Sequence, residues 1–326
     1  MMVRLSDEDS VISPVYRLLS GFKNVGAAYT GKGTSPSNSY FSFQRPLASS
    51  SPSFLDIFTS NLTDLAKVES FDPAQIIWPN GAWPHSGQAI KVEDYTLIKD
   101  LRQGGLMPVS ESNRPVTYDA IVTASNKYVL AVQGADCPSV FLYDPISRII
   151  GLIHAGWKPV VRGVIRNTLE AMEQLGARPQ NVLAYISPGP GDRYNQFLWD
   201  EGMESHIRDV FVDADRQDLL EDRTIRYEMT GQDRADLASA LGREVQKGAS
   251  FKISEFTAME LERYGVPPRN IMRSFDSSIV DRNITIGGIE SALFRYHSFR
   301  REKPEHGLNM SVLFLKTEPN TKVEQI

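Results

Sequence analysis

The chain has 326 residues, 41% hydrophobic and 23% charged, with a formal charge of −5, which describes an ordinary soluble globular protein. The mildly acidic balance argues against a nucleic-acid binder, whose footprint would be basic, and no run of about 18 apolar residues exists for a membrane span. A single cysteine excludes an intrachain disulfide and suits a reducing compartment; with no apolar signal segment in MMVRLSDEDS, a cytoplasmic location is expected.

Residues 15–29 mix apolar side chains with Gly21 and Gly26 and read as the first strands. The loop TGKGTSPSNS (30–39) carries Lys32 and offers backbone N–H groups to an anion, although it lacks P-loop spacing and reads equally well as a linker. Apolar residues at 54, 55, 58, 62, 65 and 68 have helical spacing, and 75–78 reads as a short strand. A Trp-Pro-rich turn then leads to His85, ahead of a strand over 89–92. Residues 94–118 read as a loop-rich connection, and 119–124 and 127–133 as strands rich in Val, Ile and Tyr. Residues 159–175 form the clearest amphipathic helix, starting just after Lys158. Its start, with a glycine and that lysine, suggests an oxyanion seat. A strand over 181–186, a helix over 196–211, a charge-dense exposed stretch over 213–234, a helix over 252–264 and strands over 270–275 and 310–315 complete the pattern.

The centre of the chain is YVLAVQGADCPSVFLYDPISRIIGLIHAGW, residues 128–157. Asp144-Pro145-Ile146-Ser147 has turn chemistry: Pro145 presets its φ and Asp144 can accept hydrogen bonds from the backbone ahead of it. Pairing Tyr143 with Arg148 and counting outward sets Cys137 opposite His154. Facing Cβ atoms lie roughly 4.5–5.5 Å apart, a separation at which a thiolate and an imidazole can share one zinc ion. A lone cysteine more often packs as a small hydrophobe. The flanking Asp136, Pro138 and Gly156-Trp157 are residues that a packing strand does not need.

Ala135-Asp-Cys-Pro-Ser-Val140, Asp144-Pro145, Ile153-His-Ala-Gly-Trp-Lys158, the Ser187-Pro188-Gly189 loop and Ser298-Phe-Arg-Arg301 occur in that order. Together they resemble the YfiH or laccase-domain family, long described as polyphenol oxidases and associated with purine nucleoside phosphorolysis. The resemblance spans roughly residues 20–316. It implies an α/β (α+β) fold, one layered domain of mixed sheets flanked by helices, similar to the catalytic domain of cytotoxic necrotizing factor. On that reading residues 1–326 form one domain, with an N-terminal tail over 1–15, a charged insertion over 213–250 and a C-terminal tail over 317–326.

The resemblance also implies a zinc site and catalytic centre at His85, Cys137 and His154, acting on a purine nucleoside and phosphate. Lys32, Asp136, Lys158, Ser298 and Arg300 fall where substrate or phosphate contacts are expected. There are departures: Lys158 stands where arginine is common, Leu308 replaces an arginine, and Thr30 opens a segment that is usually Arg-Gly-Gly. The metal triad is intact while the anion-binding periphery has drifted. Adenosine deamination is a possible side activity, although the zinc-deaminase signature is missing. The alternatives are a peptidoglycan-precursor editing hydrolase, a mononuclear copper polyphenol oxidase, and an inert zinc-binding protein. Four coppers would need about ten histidines, roughly twice the number in this chain. Zinc is expected, copper less so.

Overall fold

A computed structural model describes residues 15–32, 41–43, 52–78, 84–100, 104–195, 204–220, 222–284, 290–303 and 306–317. The loop over 33–39 and the Trp-Pro turn over 79–83 lie outside the described residues. In chain order the strands begin with β1 (Val15–Leu18), β2 (Val25–Thr30), β3 (Ile76–Ile77), β4 (Ala89–Lys91), β5 (Thr96–Lys99) and β6 (Leu106–Val109). They continue with β7 (Ala120–Thr123), β8 (Val129–Gly134), β9 (Ser139–Asp144), β10 (Ile149–His154), β11 (Leu183–Ile186) and β12 (Arg226–Glu228). The last are β13 (Ala249–Phe251), β14 (Ile271–Arg273), β15 (Arg282–Ile284), β16 (Glu290–Phe294) and β17 (Asn309–Leu315). The α-helices are α1 (Pro52–Glu69), α2 (Trp157–Val161), α3 (Val164–Gln174), α4 (Glu204–Asp213), α5 (Gly231–Leu241), α6 (Ile253–Arg263) and α7 (Phe299–Glu302).

Two mixed sheets face each other. One runs β1-β2-β17-β8-β3-β6-β5, the other β14-β11-β9-β10-β7-β4. Strand alternation builds three apolar layers from them. Leu130 and Val132 of β8 pack with Phe141, Tyr143, Ile150 and Leu152 between the sheets. Val129 and Ala131 point the other way, to α1 through Phe58, Leu62 and Leu65. Val140, Leu142, Ile149 and Ile153 face α3 and α6 through Ile165, Leu169 and Phe256. The central strands are therefore buried on both faces, each large apolar side chain contributing about 1.5–3 kcal/mol. The fold is a mixed α/β architecture of sheets flanked by helices, as expected.

Three local expectations need correction. Residues 94–118 are not merely a loop: β5 and β6 pair antiparallel around a turn at Gly104-Gly105, both with φ +73°. The helix expected over 159–175 starts at Trp157 and breaks at Gly163, whose φ of +86° ends α2 and begins α3. The stretch over 213–234 is not wholly exposed, since Leu219 and Ile225 sit in the helical-side core.

The central hairpin forms with a different register. Asp144 pairs with Ile149, Tyr143 with Ile150 and Ser139 with His154. Asp144 Oδ1 does accept from the Ile146 and Ser147 amides, at 2.8 and 3.2 Å. The register shifts because Arg148, with φ +56°, belongs to the loop and not to the returning strand. Ser139, not Cys137, therefore faces His154.

Candidate metal and substrate site

Despite that shift, Cys137 and His154 meet. Cys137 lies in the turn from β8 to β9, which carries the chain from one sheet to the other. The turn is pinned to the end of β10, where the Ala155 amide donates to Pro138 O at 2.9 Å. A Cβ built on Gly156 would stand 3.3 Å from Cys137 Sγ and 3.4 Å from His154 Nε2. The thiol and the imidazole thus border one small gap above a residue with no side chain to fill it.

His85 approaches from the loop before β4. Its ring centroid is 5.6 Å from that of His154, and it takes a positive φ of +52°. Asp119, at the start of β7, holds the two histidines in place. Its carboxylate accepts from the amides of His85 (3.2 Å), Ser86 (2.7 Å) and Gly87 (2.9 Å) and from Ser86 Oγ (3.2 Å). It also lies 3.4 Å from His154 Nδ1. Donation from Nδ1 to Asp119 aims Nε2 at Cys137, the arrangement by which an outer carboxylate orients a ligating histidine. Arg162 Nη1 donates to His85 O at 2.5 Å and Asn167 Nδ2 to Gly87 O at 2.8 Å, strapping the loop to α2 and α3.

The electrostatics follow this geometry. Burial alone would lower the His154 pKa, but the hydrogen bonds to Asp119 and Cys137 raise it to about 9. Burial also pushes the Asp119 carboxyl up, and the bonds from His154, Gly87 and Ser86 more than offset it, so its pKa is lowered. His85 is lowered, first by burial and then by the charge of His154. Its Nδ1 is buried and has no hydrogen-bond partner. A neutral imidazole with an unclaimed buried nitrogen, beside a thiol and a carboxylate that stabilise positive charge, suits a divalent cation. Ligand atoms of His85, Asp119 and His154 all lie within 4.8 Å of one another, so this group could hold a metal ion.

The remaining expected contacts are spread around this cluster. Asp136 Oδ1 accepts from Ser278 Oγ at 2.7 Å and its Oδ2 from the Arg300 amide at 3.1 Å, tying α7 to the Cys137 turn. The Arg300 guanidinium donates to Asn195 Oδ1 (2.8 Å) and Tyr194 O (3.4 Å). Ser298 caps α7, accepting from the Arg301 amide. Lys32 is buried and pairs with Glu302 at 3.0 Å. Lys158 stands on α2, its Nζ 5.5 Å from the Trp157 ring centroid. With only five residues, α2 is too short to act as the anion-attracting helix end expected from the sequence.

Two participants were not anticipated. In the sequence Asp119 shows only as the first residue of a strand; its signal is an acid opening the apolar run Ala-Ile-Val. Arg162 was hidden inside the amphipathic pattern of a helix that does not run through it.

The layered α/β fold thus carries an imidazole–thiol–carboxylate cluster at the end of one sheet, the placing of an enzyme-like site that could hold a metal ion. The chain belongs to the family described as multi-copper polyphenol oxidoreductase laccase, which matches residues 58–316. Among its curated relatives, a purine nucleoside phosphorylase of Deinococcus radiodurans is 44% identical over 77 residues, 23% of this chain and 30% of that protein. The purine nucleoside phosphorylase ORF3 of Streptomyces griseus is 33% identical over 129 residues, 40% of this chain and 46% of that protein. The chain thus matches less than half the length of either relative. The crystal structure of the hypothetical protein YfiH of Bacillus licheniformis shares the fold, with a TM-score of 0.61, 17% identity and coverage of 90% of this chain and 93% of that one. No helix among the described residues is long and apolar enough to cross a membrane.

Proposed function

We propose that this protein is a zinc-dependent purine nucleoside phosphorylase, converting a purine nucleoside and phosphate to the free base and ribose-1-phosphate. The observation that carries the reading is the gap above Gly156, bordered by Cys137 Sγ and His154 Nε2, with His85 and its unclaimed Nδ1 beside it. His85, Cys137 and His154 would hold the zinc, two imidazoles and one thiolate that leave a position open. When bound, the ion supplies Lewis-acid polarisation of a substrate oxygen. The same donors also suit a single copper, and the metal that supports turnover separates the two.

In this reaction a phosphate oxygen forms a bond to the ribose anomeric carbon. The bond from that carbon to the purine nitrogen breaks with its electron pair on the purine, and the proton of hydrogen phosphate ends on the departing base. The protein must bring a dianion to a sugar that is developing positive charge, a task of positioning and electrostatics. The cluster suits it. His85 and Cys137 are half-buried and give access to ligands, while His154 and Asp119 are buried. Asp136 steadies the Cys137 turn, and Arg300 lies close enough for the Cys137 and Asp136 charges to act on its guanidinium. Deamination calls for a carboxylate free to shuttle protons. Asp119 is the carboxylate of the cluster, and both its oxygens already accept hydrogen bonds, which favours phosphorolysis over deamination.

The test is chromatography of adenosine and inosine incubated with zinc-loaded protein, with and without phosphate, and with Cys137→Ala as control. Free base and ribose-1-phosphate are expected only with phosphate and only with Cys137 present. Inosine formed from adenosine without phosphate would make the protein a deaminase instead. Two intact nucleosides would overturn the reading and bring muropeptides and the inert zinc-binding role forward.

A further inference from the structure

Two cations stand on one helical turn beside His85 with no acidic partner among the described residues. The Arg162 amide donates to Lys158 O at 3.0 Å, so the two residues follow each other up the same side of α2. Like charges four residues apart on a helix destabilise it by a few tenths of a kcal/mol. A largely buried cation elsewhere in the fold carries a carboxylate, as Arg216 does with Glu260 at 3.1 Å. Among the described residues no carboxylate pairs with Lys158 or Arg162. Lys158 packs its ammonium against the Trp157 ring, and Arg162 spends one N–H on His85 O. The nearby acid, Asp119, has its oxygens taken by the His85–Gly87 loop and His154.

Both cations are half-buried and held in place. Gly87, with φ +79°, lies so close to α2 that a Cβ there would come within 2.7 Å of Arg162 O. The charges of both Lys158 and Arg162 act on His85, and burial followed by the Arg162 charge lowers the pKa of Lys158. Two adjoining cations kept partly out of water, with donors to spare and no anion facing them among the described residues, are a site arranged for an anion from outside.

We infer that Lys158 and Arg162 together seat a doubly charged inorganic oxyanion beside His85. In the reaction proposed above that anion is phosphate, and the choice of phosphate rests on that reading. Lys158 supplies a compact charge over the indole, and Arg162 supplies a directed guanidinium whose aim is fixed by His85 O. The Arg300 guanidinium, by contrast, is already bonded to Asn195 and Tyr194, and the Arg300 amide to Asp136. Phosphate therefore enters on the α2 side of the cluster.

The test is calorimetric titration of inorganic phosphate into the full-length protein, zinc-loaded and metal-free, at constant ionic strength. Lys158→Gln and Arg162→Gln should each weaken phosphate binding by about tenfold or more, since each removes a charge-assisted contact. Arg162→Lys should retain part of the affinity. Arg166→Gln, whose guanidinium is half-exposed and 3.8 Å from Glu170, should leave it unchanged. If Arg162→Gln loosens the His85 loop and unfolds, Lys158→Gln decides, because the Lys158 ammonium lies over Trp157 and makes no hydrogen bond to the His85 loop among the described residues. Phosphate affinity within twofold of wild type in folded Lys158→Gln overturns the seat, even if phosphorolysis is observed. Phosphate binding that depends on both cations, in a protein that releases no purine, supports the seat and overturns the phosphorylase reading.

Discussion

Asp119 Oδ1 lies 3.4 Å from His154 Nδ1 and also accepts the His85 amide at 3.2 Å, so one carboxylate oxygen sets the position of both histidines. The first prediction follows from that shared oxygen. Asp119→Asn keeps the shape, but one of its two accepting oxygens becomes an N–H donor facing other donors, and the His154 tautomer is no longer enforced. Zinc affinity, measured by competition with a chromogenic chelator, should fall about 10–100-fold. Unchanged affinity in a folded variant would remove Asp119 from the site.

A second prediction concerns acid stability. Lys32, His297, Arg301 and the Gly307 amide all converge on buried Glu302. Burial alone would raise the Glu302 pKa, but the His297 bond and the charges of His297, Lys32 and Arg301 hold it at about 2, against an ordinary value of 4.5. Because the folded pKa lies below the unfolded one, the unfolded chain binds more protons between those values. The contribution of Glu302 is complete above about pH 4.5 and is lost as pH falls toward 2. It amounts to about 3 kcal/mol. In urea unfolding, Glu302→Gln should be less stable than wild type at pH 7, and the difference should shrink at pH 3. A difference that stays constant across that range would mean that the carboxylate charge is not what stabilises this cluster.

The strand plan was legible because nearly every central strand is buried on both faces and therefore rich in β-branched and aromatic residues. Where that signal fails, so did the reading. β5 lies at a sheet edge, and its Thr96, Ile98 and Lys99 are exposed, so it carries no apolar alternation to read. The helix over 159–175 has an unbroken apolar stripe, and only the positive φ of Gly163, a tertiary fact, divides it. The nearness of Cys137 and His154 was legible for a reason that did not hold. The hairpin register was two residues out, and what joins them is the turn from β8 bonded to Ala155. Asp119 and Arg162 act through backbone groups of the His85 loop, contacts that leave no spacing pattern in a sequence.

Gly87 carries the third prediction. Its φ of +79° disfavours any side chain, and a Cβ would meet Arg162 O at 2.7 Å. Gly87→Ala should therefore cost about 1–3 kcal/mol of stability and displace His85 from Asp119. Zinc affinity and phosphate affinity should both fall, since the loop touches Asp119 on one side and Arg162 on the other. Loss of stability with both affinities intact would show that the loop position does not govern the site.

Gly156→Ala tests the gap itself without deleting any ligand. Gly156 has φ −63° and ψ 156°, which alanine adopts freely, so no backbone strain is introduced. The added methyl would stand 3.3 Å from Cys137 Sγ and 3.4 Å from His154 Nε2, between the two atoms proposed to bind zinc. Both sit on strand ends and turns held by backbone hydrogen bonds, so they have little room to move apart. Overpacking of this kind costs about 1–3 kcal/mol, and set against metal binding it should lower zinc affinity by about tenfold or more. The same contacts are present without metal, so the metal-free protein should melt modestly below wild type while staying folded, the apolar layers being untouched. Cys137→Ala, by contrast, removes a donor and should abolish stoichiometric zinc at any concentration that leaves wild type saturated. If Gly156→Ala binds zinc as wild type does while Cys137→Ala does not, Cys137 acts on the metal from some other direction. If both variants bind fully, the site reduces to His85, Asp119 and His154, with the thiol left outside the coordination sphere.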